Sequence, residues 1–116
     1  MAPKQNPLGL NSLQLKTLTL MQELARYPES STKDPNTGDV LLTLLPDPHG
    51  NHFHIGRKVA MARDATGLRN PAVWAALARK GLAHSGFPVA ITLTQEGLAY
   101  NTGLRDKILY GADHET

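Results

Sequence analysis

No cysteine occurs anywhere in the 116 residues. That excludes a disulfide framework, thiolate zinc sites and a cysteine nucleophile. No apolar run approaches the roughly 18 residues a membrane helix needs. The N-terminus, MAPKQNPLG, lacks the apolar stretch of a secretory signal. A cytoplasmic location is the expectation. Catalytic signatures are missing as well. There is no GxSxG elbow, no HExxH, no GxxxxGK[ST] and no dinucleotide glycine fingerprint. The acids are scattered, with no close pair inside an apolar run to suggest acid–base work. The sequence therefore points away from an enzyme, and no cofactor is expected.

Strong net charge is absent too, at +2, but the charge is unevenly spread. Between Arg57 and Lys80 lie six basic residues (Arg57, Lys58, Arg63, Arg69, Arg79, Lys80) against the single acid Asp64. The rest of the chain carries six basic residues and nine acids. A basic segment beside a mildly acidic remainder is the footprint of a polyanion-binding face, or else an ordinary solvated surface.

The length suits one domain with a single modest core. Residues 1–10, with two prolines and a glycine, read as a disordered tail. Residues 11–110 read as the domain, and residues 111–116 as a C-terminal tail. Asn11 can cap a first helix, with Gln14 placed for a capping box. Leu13, Leu20, Met21 and Leu24 recur at helical spacing, and Tyr27-Pro28 ends the pattern. Residues 28–39 are rich in turn formers and read as loop.

Val40 to Leu45 reads as a strand, joined across Pro46–Asn51 to a second run, HFHIGRKVAMA. In that run Phe53, Ile55, Val59 and Met61 alternate with polar or small residues. Residues 57–66 either continue this strand or open a helix, since Val59, Ala62 and Ala65 also share a helical face. Asn70-Pro71 starts the next helix, which runs to about Lys80 and is closed by Gly81. HSGFP (84–88) reads as a tight connection to a strand over Val89–Leu93. Thr94 then caps a last helix reaching toward Tyr110. The expected class is α+β, in the order α-β-β-α-β-α.

Two stretches carry a family resemblance, ARDATGLRNPAVWAALARKGLA (62–83) and VAITLTQEG (89–97). Gly67-Leu68 supplies a tight turn, for which a positive-φ glycine is expected. Val73 follows Gly67 by six residues, and Ala76 and Leu77 share its face. Leu82 opens the strand side, and LTQEG forms the strand-to-helix corner. Together these resemble the second half of a winged helix-turn-helix domain. The match departs from the family at Arg63, where a small residue is usual, and at the short HSGFP connection. Small bacterial winged-helix-like proteins with a β-hairpin ahead of the recognition helix are similar in plan.

The resemblance implies a transcriptional regulator that binds double-stranded DNA as a homodimer, with the Leu-rich first helix as the dimer surface. Arg69 and Asn70 become the candidate base or phosphate contacts, since arginine pairs with guanine and asparagine with adenine. Arg57, Lys58, Arg63, Arg79 and Lys80 become contacts to the DNA backbone. Trp74 has two readings, core packing or part of an exposed partner surface with Ala75 and Ala78. The second implies a protein-interaction module of the same fold. His49, His52 and His54 form HxxHxH, a candidate three-imidazole metal site with Asp47 nearby, or simply a polar strand face. His84 and His114 stand alone.

Overall fold

Asn11 opens the first helix, α1 (Ser12–Leu24), in the way its sequence predicts. Its side chain accepts from the Gln14 N–H at 2.8 Å, and the Gln14 side chain accepts from the Asn11 N–H at 3.0 Å. The computed structural model describes residues 6–111; the remaining parts of the two expected tails lie outside them. The helix stops at Leu24, before Pro28 forces it to. The hydroxyls of Ser30 and Ser31 donate to the carbonyls of Leu24 and Ala25, satisfying groups a helix end leaves open. From Thr17 to Met21 every residue is buried, so the helix passes through the domain rather than lying on it. The expected dimer surface on α1 is thus consumed by the protein's own core.

Among the described residues the protein is a mixed α+β arrangement of four α-helices and two four-stranded antiparallel sheets. None of these helices is long and apolar enough to cross a membrane. The first sheet contains β1 (Ser31–Lys33), β2 (Val40–Leu42), β6 (Ala83–Gly86) and β7 (Ala90–Leu93), in the order β1-β2-β7-β6. The segment expected to be loop over 28–39 therefore contains a strand. β1 and β2 close a hairpin around Asp34 to Asp39, where Gly38 has φ +78°. Val40 and Leu42 point inward opposite Leu93 and Ile91, and all four are buried.

That register overturns the expected pairing of Val40–Leu45 with the histidine-rich run. The second sheet instead contains β3 (Pro48–His49), β4 (His52–Ile55), β5 (Lys58–Met61) and β8 (Tyr110–Gly111), in that order. HFHIGRKVAMA is thus two strands, folded at Gly56-Arg57. Gly56 has φ +61°, and a side chain there would meet the Tyr27 ring. A two-residue turn puts Ile55 opposite Lys58 and Phe53 opposite Ala60. Opposed residues share a face, so the turn shifts the inward set by one. Ile55 and Ala60 enter the core, whereas Val59 and Met61 do not share their face. After Met61 the chain tightens into a 3-10 turn (Ala62–Asp64), so residues 57–66 are strand first and helical turn second.

Helix α2 (Pro71–Arg79) follows its predicted signals. The Asn70 side chain accepts from the Ala72 N–H at 2.9 Å, Pro71 occupies the first turn and Gly81 has φ +77°. β6 and β7 then form a hairpin across Phe87-Pro88-Val89, so HSGFP is a strand and its turn rather than a bare connection. Thr94 caps α3 (Gln95–Ala99), accepting from the Gly97 N–H at 3.0 Å. The last helix does not run through to Tyr110. The Asn101 and Thr102 side chains accept from the Gly103 and Leu104 N–H groups, which diverts the backbone before α4 (Arg105–Ile108). Arg105 is anchored from there to the buried Glu23 carboxylate at 2.9 and 3.1 Å, and the Tyr27 hydroxyl donates to the same carboxylate.

Residues 6–10, expected in a disordered tail, are tied down. Leu10 is buried, Asn6 accepts from the Tyr100 hydroxyl at 2.7 Å, and that hydroxyl accepts from the Leu8 N–H. At the other end Gly111 pairs with Lys58 and so belongs to the domain.

Gly67 does its work differently from expectation. It is not among the positive-φ glycines. A Cβ there would lie 1.9 Å from the Thr17 Oγ1, so its role is close approach to α1. Thr17 Oγ1 is itself buried without a hydrogen-bond partner among the described residues. Gly67→Ala is expected to lower stability by about 1–3 kcal/mol through overpacking. The double variant Thr17→Ala/Gly67→Ala should recover much of that loss in urea melts. Purely additive losses would show that the contact is not the cause.

Candidate nucleic-acid interface

The outward surface of α2 is set by what faces inward. Val73, Trp74, Ala76 and Leu77 are buried, which leaves Pro71, Ala72, Ala75 and Arg79 exposed and Ala78 half-buried. Methyl groups and one guanidinium make up most of that face. Reading base edges by hydrogen bonding takes longer polar side chains.

The seven predicted contact residues fall into four groups along the chain. Arg57 and Lys58 sit at the β4–β5 turn, Arg63 lies in the 3-10 turn, and Arg69 and Asn70 lead into α2. Arg79 and Lys80 leave its far end, about 15 Å along the axis at 1.5 Å per residue. Asn70 spends its side-chain oxygen as the helix cap. Arg69 donates to Asp47 Oδ1 at 3.1 Å and to the Leu45 carbonyl at 3.2 Å. Asp47 is 86% exposed and Arg69 55%. A pair this exposed contributes about 0–1 kcal/mol, so an incoming phosphate can displace it. Arg63 stands 4.0 Å from Asp64, whose closer partner is Lys16 at 2.9 Å. Lys80 donates to the Leu8 carbonyl at 2.8 Å. Arg57, Lys58 and Arg79 form no ion pair among the described residues.

Trp74 is 0% exposed. Its indole N–H donates to the Leu68 carbonyl at 2.9 Å, and the Phe87 ring meets it edge-on at 4.8 Å between centroids. The burial is favourable because the one polar group of the ring is satisfied. Of the expected partner surface, Trp74 is therefore excluded, while Ala75 is exposed and Ala78 half-buried.

The structure also brings up residues that the sequence did not mark. Phe87, Pro88 and Val89 form the tip of the β6–β7 hairpin, and Val89 is 82% exposed. The available signal was the alternating run at 89–93, which needed an antiparallel partner, with a Gly-x-Pro turn just ahead of it.

His49, His52 and His54 do come together, with ring centroids 4.9–6.0 Å apart. His49 and His52 are direct cross-strand partners, and His54 shares the His52 face. Asp47 is turned instead toward Arg69. Among the described residues no group of three or more His, Asp or Glu is placed to hold a metal ion. His84 is exposed on β6, and His114 lies outside the described residues.

Trp74 provides a direct readout of this arrangement. Its emission is expected to be blue-shifted and shielded from iodide, and Trp74→Ala should cost about 3–5 kcal/mol. Red-shifted, readily quenched emission would contradict the buried position. No protein-family model, no curated protein and no solved structure matches this chain.

Proposed function

We propose that the chain is a small winged-helix-like protein that binds duplex DNA in a regulatory role, without catalytic chemistry. One observation carries the reading. α2 packs beside β6 and feeds directly into the β6–β7 hairpin, and β7 is flanked by β2 on its other side, giving β2-β7-β6. A helix that leads into a β-hairpin packed beside it supports the winged-helix reading, although the sequence implied neither the second hairpin strand nor the β2–β7 pairing.

The side chains favour backbone contact over base reading. Arg69 and Arg79 bracket a helix face made mostly of alanine, and Asn70 is occupied as a cap. Phosphate contacts of this kind give affinity and register but little sequence information. Arg57, Lys58, Arg63 and Lys80 add positive charge along the same segment. A second reading, a protein-interaction module on the same scaffold, draws on the exposed Ala72, Ala75 and Val89.

A salt series on short duplexes separates the two. Binding is expected at low salt to duplexes of unrelated sequence, falling steeply as salt rises. Arg69→Ala and Arg79→Ala should each weaken all duplexes alike and reduce the log–log salt slope by about 1. Asp47→Asn, which releases Arg69, should strengthen binding. Absence of binding at low salt would discard the DNA reading and leave the protein-interaction module.

A further inference from the structure

Glu23 is buried on α1, yet two guanidiniums attend its carboxylate. Arg105 donates to Oε1 from both Nε and Nη2, at 3.1 and 2.9 Å. The Tyr27 hydroxyl donates to Oε2 at 3.0 Å. Both oxygens are therefore satisfied, and Glu23 and Arg105 cancel in charge. Arg26 is surplus to that pair. It stands 3.5 Å from Oε1, and its guanidinium makes no hydrogen bond among the described residues. One positive charge is left without compensation.

That charge borders a cleft of about 290 Å³ between the second half of α1 and the helices α3 and α4. The volume is close to the small end of the range for ligand sites. Ala25 and Leu98 give the cleft an apolar wall, and Arg26 and Arg105 a cationic one. Glu23 is the only other charged residue that lines it. The cleft is also held in shape. The Gln22 amide donates to the Gly97 and Tyr100 carbonyls, both at 2.8 Å, and the Thr19 and Thr102 hydroxyls meet at 2.6 Å. The Leu24 and Ala25 carbonyls at the end of α1 accept from Ser30 and Ser31 and do not compete for the arginines. An entering group thus meets unused N–H donors in a cleft that is already ordered.

We infer that this cleft binds a small monocarboxylate with a short apolar body, its carboxylate on Arg26 and Arg105 and its body against Leu98. A carboxylate matches the planar fork of a guanidinium with charge-assisted hydrogen bonds. A single negative charge neutralises the group formed by Glu23, Arg26 and Arg105. A divalent phosphate ester overshoots, and sets an uncompensated negative charge beside the buried Glu23. A neutral amide of the same shape forgoes the charge-assisted bonds. The inference does not depend on the DNA-binding reading, since none of the seven candidate contact residues lines the cleft.

The test titrates the isotope-labelled full chain with benzoate, benzamide and phenyl phosphate, followed by two-dimensional NMR. Phenyl phosphate is largely divalent at neutral pH. Benzoate is expected to saturate with a dissociation constant of about 1 mM or below, moving the Arg26 and Arg105 side-chain signals and the Leu98 methyls. Benzamide and phenyl phosphate should bind at least about ten-fold more weakly. Arg26→Gln should weaken benzoate by a similar factor while urea melts stay unchanged, and Arg26→Lys should recover part of the loss. No saturable shift with benzoate overturns the site. Equal affinity for benzamide reduces it to an apolar hollow, and equal affinity for phenyl phosphate to a general anion site; either result overturns the carboxylate assignment. Unchanged benzoate affinity in a folded Arg26→Gln does the same. Should that variant fail to fold, the three probes on wild type still decide. No duplex enters the experiment, so its failure leaves the DNA reading as it stands.

Discussion

Gly67 rests against Thr17 with no room for even a methyl group between them. That contact sets how closely the approach to α2 can lie on α1. Much of the candidate interface follows from it. Leu68 is buried, its carbonyl receives the Trp74 N–H, and Trp74 in turn seats Phe87 at the hairpin tip. Three contacts, joined by the Gly67–Leu68 peptide bond, thus lead from the buried middle of α1 to an exposed turn. Gly97 repeats the device on the other side of the hairpin, since a Cβ there would collide with the Leu82 carbonyl. The hairpin is held at its base by one close backbone approach and at its tip by a ring.

Local signals were legible in the sequence wherever the physics is local. The caps at Asn11, Asn70 and Thr94 involve side chains reaching two or three residues along the chain, and each is formed as the sequence predicts. Burial of Val73 followed from its spacing after Gly67 in the family resemblance, and that of Ala76 and Leu77 from the helical face they share with it. Strand partners were less legible. Val40–Leu42 pairs with Ile91–Leu93, about fifty residues away, and nothing in either segment names the other. The fold at Gly56-Arg57 was hidden because Val59 and Met61 keep the phase of Phe53 and Ile55 across it. The turn uses the positive φ of Gly56, and the Tyr27 ring, packed against it from far earlier in the chain, leaves no room for a side chain there.

The candidate site divides along the same line. Residue types and charge were legible, so the basic segment was visible at once. What each side chain already does was not. Asn70 is committed to a backbone N–H, Arg69 to Asp47 and two loop carbonyls, and Lys80 to the Leu8 carbonyl. The partners of Arg69 and Lys80 come from other parts of the chain, and each must be given up before its residue meets a ligand. The histidines teach a related lesson. Pattern brought the three rings together, but proximity of rings is a weaker condition than convergence of lone pairs on one point.

The chain leaves the first sheet after β2 and rejoins it only at β6, with β3 to β5 built in between as an excursion. That excursion is not left as a free appendage. The final short strand, Tyr110–Gly111, comes back from the far end of the sequence to lie beside Lys58 and Val59. The excursion is thus closed along one edge by the last described strand. Its outer turn, around Gly50 and Asn51, can change length or chemistry without disturbing the sheet that carries α2 and its hairpin. A loss of the last strand, by contrast, unfastens the second sheet along its Lys58–Val59 edge and leaves the first sheet's own pairings intact.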